Sequence, residues 1–257
     1  MGAVLAAIFV VPGRVSESPR VSGEVVLESM VDPGADPFTD SVVTGGAAGS
    51  GGAPRPASPG GAPSASGSPT SSATASGATV IRSVTGSDPG LFGGTMRVAS
   101  CDAHKLTAAL TADAAKQRAW AGVVGVAPAK LADYVATLTS VVLREDTRAT
   151  DHDYSGAAAT DLQSVLQAGS AVLVDGLGVP RVRCRSGNPL SAAAAVSGRT
   201  TYVGSRWPGF QPGMLVVVVA APKKVDAFVL IDLATGGRFS RPAAGDGSTD
   251  GAAPVGG

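Results

Sequence analysis

A tract without large apolar side chains divides this chain into two unequal parts. Residues 45–79 are dominated by Gly, Ala, Pro, Ser and Thr. Such a tract cannot bury enough apolar surface to offset the entropy lost on ordering, so it predicts a disordered linker or insert. The tail at 243–257 has the same character and is also predicted to be disordered. A first strand segment at 24–44 and a main stretch at 80–242 remain, which is about one domain's worth of chain.

The charge balance argues against one broad class of function. The 257-residue chain carries 20 Lys and Arg residues and 20 Asp and Glu residues, so its formal net charge is zero. Proteins that bind polyanions usually show a basic excess or a basic patch. We therefore expect no nucleic-acid partner. We also predict no metal and no cofactor.

Residues 2–12 form an apolar run, GAVLAAIFVVP. A membrane span needs about 20 residues, and the core of a signal peptide needs about 7–15 residues behind a basic segment. No basic residue precedes this run. Three interpretations stay open: a signal or anchor helix whose start lies further upstream, a short signal core, or a buried strand. We expect residues 1–23 to be a clipped signal or anchor followed by a stalk, which would be the domain's link to a membrane.

Residues 101–140 have helical spacing of apolar positions. Ser100 or Asp102 can cap a first helix, and Pro128 suits the first turn of a third. A helix-turn-helix pattern around Gly125 is weak, because its last helix offers few side chains that read base edges. Three short packed helices are therefore the better interpretation.

Short apolar runs on either side of the helices predict β-strands. The runs at 214–220 and 227–233 are continuous, which predicts a central pair buried on both faces. The run at 24–31 either joins this sheet or belongs to an unfolded stalk. Together with the helices, the pattern predicts an α+β fold, with a mixed or antiparallel sheet, a cap of three short helices and a long disordered insert. The other predicted strands are 141–145, 164–166, 171–174 and 179–184, and the stretch at 191–201 is predicted to be a loop.

The polar run DTRATDHDY at 146–154 is predicted to be a solvated or hydrogen-bonded loop. Two functional alternatives stay open: Asp151, His152 and Asp153 could bind a divalent metal, or His152 could act as a general base oriented by a carboxylate. Neither has support elsewhere, because the chain has two His residues and no recognisable nucleophile motif. We assign no catalytic residue. The candidate ligand-binding residues are Arg148, His152, Tyr154, Asn188 and Trp207.

Arg181, Arg183 and Arg185 alternate along a predicted hairpin strand, so their side chains share one face. We expect a solvated sheet face, with an anion-binding row as the alternative. Pro180 in the same strand predicts an edge or a bulge. Trp207 is expected to anchor a loop by packing, although it could also line a pocket.

Cys101 and Cys184 are the two cysteines of the chain. An even pair in an exported protein usually forms a disulfide, whereas two free thiols would fit a cytosolic protein. We expect the disulfide. In the chain-entropy model it closes a loop of about 80 residues and stabilises the fold by about 4 kcal/mol.

Eight ordered sequence blocks between about 24 and 242 resemble an actinobacterial family, domain of unknown function 6777. The resemblance implies an extracytoplasmic domain behind a transmembrane or lipoprotein-type segment, and it implies no known activity. Where the family more often has a second cysteine, this chain has Ser186, and where it tends to have Asn-His-Gly-Tyr, this chain has Asp151 to Tyr154. The blocks are DPGADPFT, GLFGGT, CDAHKL, AWAGVVGV, LTSVVLREDTRATDHDY, VLQAGSAVLVDGLGVPRVRC, GNPL and RWPGF.

Two functional hypotheses follow. The leading one is a noncatalytic binding or structural module of the cell envelope, on the cell surface or secreted, whose partner is a cell-wall polymer or an envelope protein. The alternative is a hydrolase or transferase that acts on envelope material through His152 with Asp151 or Asp153. A cleft lined by His152, Arg148, Tyr154 and Asn188 would favour the enzyme.

Overall fold

The computed structural model describes residues 21–45 and 81–254. The apolar run at 2–12 and the predicted insert, apart from Gly45, lie outside these ranges. Within the two ranges, no helix is long and apolar enough to cross a membrane.

Fourteen strands of the described residues form one mixed sheet. The order along its main path is β10-β1-β6-β5-β9-β8-β7-β4-β3-β12-β13-β14, and β11 lies beside it, paired with β5 and β2. Together with three helices, this sheet confirms the predicted α+β class. The strands are β1 (Val21–Glu28), β2 (Arg82–Thr85), β3 (Phe92–Gly94), β4 (Thr139–Leu143), β5 (Thr147–Ser155), β6 (Ala158–Leu166), β7 (Ala171–Val174), β8 (Pro180–Arg183), β9 (Asn188–Ser191), β10 (Val196–Val203), β11 (Val216–Val219), β12 (Ala227–Asp232), β13 (Arg238–Pro242) and β14 (Gly251–Ala252).

The first strand belongs to the same sheet as the strands that follow the insert. β1 lies between β10 and β6 and runs parallel to both. β10 lies in the stretch that was predicted to be a loop, and that prediction is wrong. Its Ala/Gly/Ser/Thr composition gives little strand signal, but pairing with β1 satisfies its backbone.

β5 begins at Thr147 and includes the rest of the polar run at 146–154, so the prediction of a solvated or hydrogen-bonded loop is wrong. It pairs along its whole length with β6, and its other edge is shared by β11 and β9. Its polar side chains can be buried because they find hydrogen-bond and charge partners on neighbouring strands. Alternation places Asp151 and Asp153 on one face of β5, and Arg148 and His152 on the other.

Three short helices form the predicted cap. They are α1 (Ala103–Thr111), α2 (Ala114–Val124) and α3 (Leu131–Val135), the last preceded by a 3₁₀ turn at Pro128–Lys130. The Asp102 side chain caps α1 by accepting a hydrogen bond from the backbone N–H of Lys105 at 2.8 Å. Gly125 ends α2 with a φ of 72°, a left-handed conformation that glycine adopts without a steric penalty.

The helices pack on the sheet around the disulfide. Cys101 and Cys184 are bonded to each other and buried, with their Cα atoms 5.9 Å apart. The fully buried Trp120 lies in the same cluster, and its indole N–H donates to the carbonyl of Gly187 at 2.9 Å. The bridge therefore ties the start of the helical section to the sheet under it. Other members of this cluster are Phe38, Leu106, Leu110, Leu131, Val135 and Leu173.

A second apolar cluster lies on the other side of the central strands. In β7, Leu173 faces the helices, whereas Val172 and Val174 face this second cluster, so β7 is buried on both faces. Pro180 begins β8 where its register with β7 shifts, which agrees with the predicted bulge. Phe92, Val141, Leu143, Phe228, Leu230 and Phe239 complete the second cluster.

The prediction that the continuous apolar runs form one central pair is wrong. β11 pairs with β2 and β5, whereas β12 pairs with β3 and β13. Val216 and Val218 of β11 are buried but Val219 is exposed, so this strand buries one face although all four of its residues are Val.

Residues 243–254 do not form the predicted disordered tail. Asp250 is buried and makes a two-point contact with the guanidinium of Arg241, with nitrogen–oxygen distances of 2.9 and 2.7 Å. β14 follows directly and pairs with β13. A buried charge pair of this kind holds a Gly-rich segment whose apolar content alone would not fix it.

Candidate functional site

Arg148 lies on one face of β5 inside a network of neutral groups. Its side chain is 3% exposed, and Nη2 donates to Oε1 of Gln163 at 3.0 Å. The amide nitrogen of Gln163 donates in turn to the hydroxyl of Thr150 at 2.7 Å. Nε of Arg148 is buried and has no hydrogen-bond partner in the described part of the chain. Burial lowers the pKa of this guanidinium from its ordinary value, and the nearby Tyr202 opposes that effect.

His152 lies further along the same face, between a hydroxyl and a carboxylate. Its Nε2 is 2.9 Å from Oγ of Ser191 on β9, and its Nδ1 is 2.9 Å from Oδ1 of Asp161 on β6. The Nδ1 contact has the length of an ion pair but not the direction of a hydrogen bond. The imidazole is largely buried, whereas the Asp161 side chain is 77% exposed. A hydroxyl, an imidazole and a carboxylate therefore follow one another in the order used by serine nucleophiles.

The opposite face of β5 carries a buried group of three ionisable side chains. Nη1 of Arg183 lies 3.1 Å from Oε2 of Glu28 and 3.5 Å from Oδ2 of Asp151. Burial raises the pKa of Glu28 to about 10, the charge on Asp151 adds to this effect, and Arg183 opposes it. At neutral pH, Glu28 is therefore protonated and neutral. The positive charge of Arg183 is then balanced by the negative charge of Asp151, because Glu28 is neutral.

The same Arg183 corrects the prediction of a solvated arginine row. It is one of the largest fully buried side chains, and its Nη2 donates to the carbonyls of Ser29 and Asp32 at 3.2 and 2.5 Å. Arg181 is partly exposed and pairs with Asp175 at 2.7 Å. Nε of Arg185 donates to the carbonyl of Met30 at 3.1 Å, so Arg183 and Arg185 tie the segment after β1 to the sheet. The row does not form an open anion-binding surface.

Asn188 lies on the Asp151 and Asp153 side of β5. Its amide nitrogen donates to Oδ1 of Asp153 at 2.9 Å, and its amide oxygen accepts from the backbone N–H of Phe38 at 3.0 Å. Burial raises the pKa of Asp153, the charge of Asp151 adds to this, and the hydrogen bond from Asn188 opposes it. Asn188 thus fixes the chain after β1, and none of its side-chain hydrogen bonds among the described residues reaches Arg148 or Gln163.

The two remaining candidate residues are aromatic and lie apart. The Tyr154 ring is 5.0 Å from that of Phe38, and Nζ of Lys116 lies 5.2 Å from the Tyr154 ring centre. The indole N–H of Trp207 donates to Oδ2 of Asp146 at 3.0 Å. This hydrogen bond ties Trp207 to the residue before β5, and Tyr154 packs beside the helical cap.

The structure places Arg148 and His152 on the same face of β5, but it does not gather the five predicted residues into one site. Sequence reasoning missed Glu28, Asp161 and Ser191, whose partners are far away along the chain. A charged residue at the end of the apolar run EVVLE was the one local signal for Glu28. Among the described residues, no group of three or more His, Cys, Asp or Glu side chains could hold a metal ion.

These features define a disulfide-linked α+β domain with buried ionic groups on both faces of one polar strand. A sequence profile of the family described as domain of unknown function (DUF6777) matches residues 82–244. The chain belongs to this family. No curated protein and no solved structure matches it.

Proposed function

We propose that this domain is a noncatalytic extracytoplasmic module that binds material of the cell envelope. The observation that carries the proposal is the separation of the candidate residues, with Arg148 and His152 on one face of β5 and Asn188 bonded to Asp153 on the other. Acid–base catalysis needs its groups within hydrogen-bond reach of one reacting centre. Because the sheet separates the candidate residues, a binding or structural role fits them better than catalysis does.

The disulfide supports the location outside the cytoplasm. Disulfides persist in oxidising compartments and are rare in reducing ones. Cys101 and Cys184 are both buried in the apolar cluster under the helices, so the disulfide is part of the core of the domain. An actinobacterial source with a cell-wall-facing domain, as the sequence resemblance implies, fits the same proposal.

The binding surface that we propose is the loop 204–214. Trp207 and Phe210 are half-buried and their ring centres are 5.3 Å apart, and the side chain of Arg206 lies over the Phe210 ring. Met214 at the end of the loop is 66% exposed. Partly exposed aromatic rings beside an arginine and an exposed methionine are typical of contact surfaces.

Co-sedimentation with purified cell walls tests this proposal. We expect the wild-type protein to sediment with the walls and the Trp207→Ala variant to bind at least about tenfold more weakly. Val219→Ala, which shortens an exposed apolar side chain on β11, is the matched control and should bind like the wild type. Equal sedimentation of the wild type and both variants would exclude the loop, and no sedimentation of the wild type would contradict the proposal.

One observation favours a second function, a serine-dependent acyl hydrolase or transferase. Ser191, His152 and Asp161 lie in the order of a catalytic triad, with 2.9 Å at each contact. In that chemistry, His152 takes the hydroxyl proton as Ser191 Oγ attacks a carbonyl carbon, and it later returns the proton to the leaving group. The carboxylate of Asp161 would stabilise the transient imidazolium.

A fluorophosphonate probe separates the two functions. An enzyme of this kind would be labelled at Ser191, and labelling would be lost in Ser191→Ala and reduced in Asp161→Asn. The noncatalytic module that we propose would remain unlabelled, and Ser191→Ala would still bind cell walls like the wild type.

A further inference from the structure

Three arginines among the described residues are almost completely buried, and they differ in what neutralises their charge. Arg241 has two hydrogen bonds to Asp250, and its remaining N–H groups reach the carbonyls of Ser140, Thr95 and Val98. Arg183 lies beside the carboxyl groups described above. Both therefore obtain a negative partner from within the fold.

Arg148 has no such partner. Its hydrogen bond goes to a neutral amide, and no carboxylate of the described residues lies within ion-pair distance of it. A guanidinium keeps its charge in proteins, and removing an isolated charge from water is costly. The buried Nε of Arg148 also lacks an acceptor. A negative group that accepts from Nε would satisfy both requirements.

The rest of the chain offers almost no candidate for this group. Of the 20 acidic side chains in the sequence, Glu17 alone lies outside residues 21–45 and 81–254. The long Gly/Ala/Pro/Ser tract at 45–79 contains no Asp or Glu. The counter-charge is therefore either Glu17 or a group other than the side chains of residues 1–257.

The surroundings of Arg148 connect it with the aromatic loop. Tyr202 is close enough to influence the guanidinium, and its ring centre is 5.3 Å from that of Phe210, which contacts Trp207 at the same distance. Val217 lies beside Arg148 on β11 and is only half-buried. Arg148 thus lies one layer below a surface lined with aromatic rings.

We infer that Arg148 binds an oxyanion, the carboxylate or phosphate group of an envelope ligand whose remaining part contacts the aromatic loop. The inference names the ligand class of the module proposed above and to that extent depends on it. The oxyanion accepts hydrogen bonds from the Nε edge of the guanidinium and supplies the missing negative charge. Aromatic rings on one side and a fixed cation on the other favour an acidic sugar or a phosphorylated polyol over a simple peptide.

The test uses the purified full-length protein and three small probes at low ionic strength: inorganic phosphate, galacturonate and neutral galactose. Calorimetric titration measures affinity, and thermal unfolding measures the shift in Tm. We expect one or both anions to bind and to raise Tm by several degrees, and galactose to have no effect. Tighter binding of phosphate would indicate a phosphorylated ligand. Tighter binding of galacturonate would indicate a ligand with a carboxylate.

Arg148→Gln should lose binding by at least about tenfold. Without ligand it should be as stable as the wild type or more stable, because it removes an unpaired buried charge. Arg241→Gln is the matched control: it leaves Asp250 without its partner, so it should lower Tm while the variant that folds still binds anions.

Two results would overturn the inference. The first is the absence of any anion effect on the wild type. The second is a Glu17→Gln variant that is destabilised and gains anion binding, since Glu17 would then be the natural partner of Arg148. Failure of anion binding leaves the cell-wall experiment unaffected, because wall binding through Trp207 does not require an occupied Arg148 site.

Discussion

Glu28→Gln should change the pH dependence of stability of this domain. Glu28 is 5% exposed, lies beside Asp151 and Arg183, and has a pKa raised from 4.5 to about 10. Between these two pH values, the folded protein holds a proton that the unfolded chain releases. Stability from this group is therefore fully present below about pH 4.5 and is lost as the pH rises toward 10.

The size of the effect follows from proton linkage. One proton taken up on folding lowers the free energy of unfolding by about 1.4 kcal/mol for each pH unit. From pH 6 to pH 8 the wild type should thus lose about 3 kcal/mol through Glu28. The amide introduced by Glu28→Gln is neutral at every pH and can still donate a hydrogen bond to Asp151, so this variant should lack the loss.

Urea unfolding from pH 5.5 to 8.5 measures the difference. We expect Glu28→Gln to unfold at a higher urea concentration than the wild type at pH 8. The difference between the two urea midpoints should become smaller as the pH falls toward 5.5. Glu24→Gln, an exposed position on the same strand, should follow the wild type. If Glu28 were instead an ionised partner of Arg183, Glu28→Gln would be destabilised at every pH, and that result would refute the reasoning.

Two further predictions concern the scaffold. Replacing Cys101 and Cys184 together by Ser should lower the free energy of unfolding by about 4 kcal/mol, and the reductant sensitivity of wild-type unfolding should disappear; an unchanged midpoint would contradict the role of the bridge. Gly178→Ala should cost about 2 kcal/mol or more, because its φ is 76° and a Cβ would collide with the backbone carbonyl of Gly86. Gly125→Ala has a similar φ of 72° but open space around it, so urea unfolding should show a smaller loss of about 1 kcal/mol.

The parts of the fold with local signals could be predicted from the sequence. Asp102 and Asp113 precede α1 and α2 and cap them with their side chains, and the apolar run at 171–174 is β7. The pair Cys101 and Cys184 forms the expected disulfide. The helix caps and the strand are encoded within a few neighbouring residues. The disulfide follows because the chain has two cysteines.

Long-range pairing decided the parts that were wrong. Nothing within residues 146–154 indicates that β6, β9 and β11 surround this polar segment and satisfy its side chains. Similarly, four consecutive Val residues in β11 hide the alternation that its neighbours impose. Polar character predicts solvent exposure only when no partner strand supplies the matching groups.

The candidate site follows the same rule. Arg148 and His152 could be selected because charged residues near a histidine are chemically versatile, but their contacts Gln163, Asp161 and Ser191 are set by strand register. A one-residue shift of β6 against β5 would move each of the β6 partners to the other face. Residue type therefore predicted members of the site, and only the sheet pairing assembled it.

The three buried arginines give the strongest structural indication of function. A buried guanidinium requires a negative partner, and a fold that keeps one has to supply that partner or receive it from outside. Arg241 receives it from Asp250, and Arg183 receives one net negative charge because Glu28 keeps its proton beside Asp151. Arg148 receives no negative partner from the described residues, although the same sheet supplies one to Arg241 and one to Arg183. An unsatisfied charge under an aromatic loop is what a binding site for an acidic ligand requires before the ligand arrives.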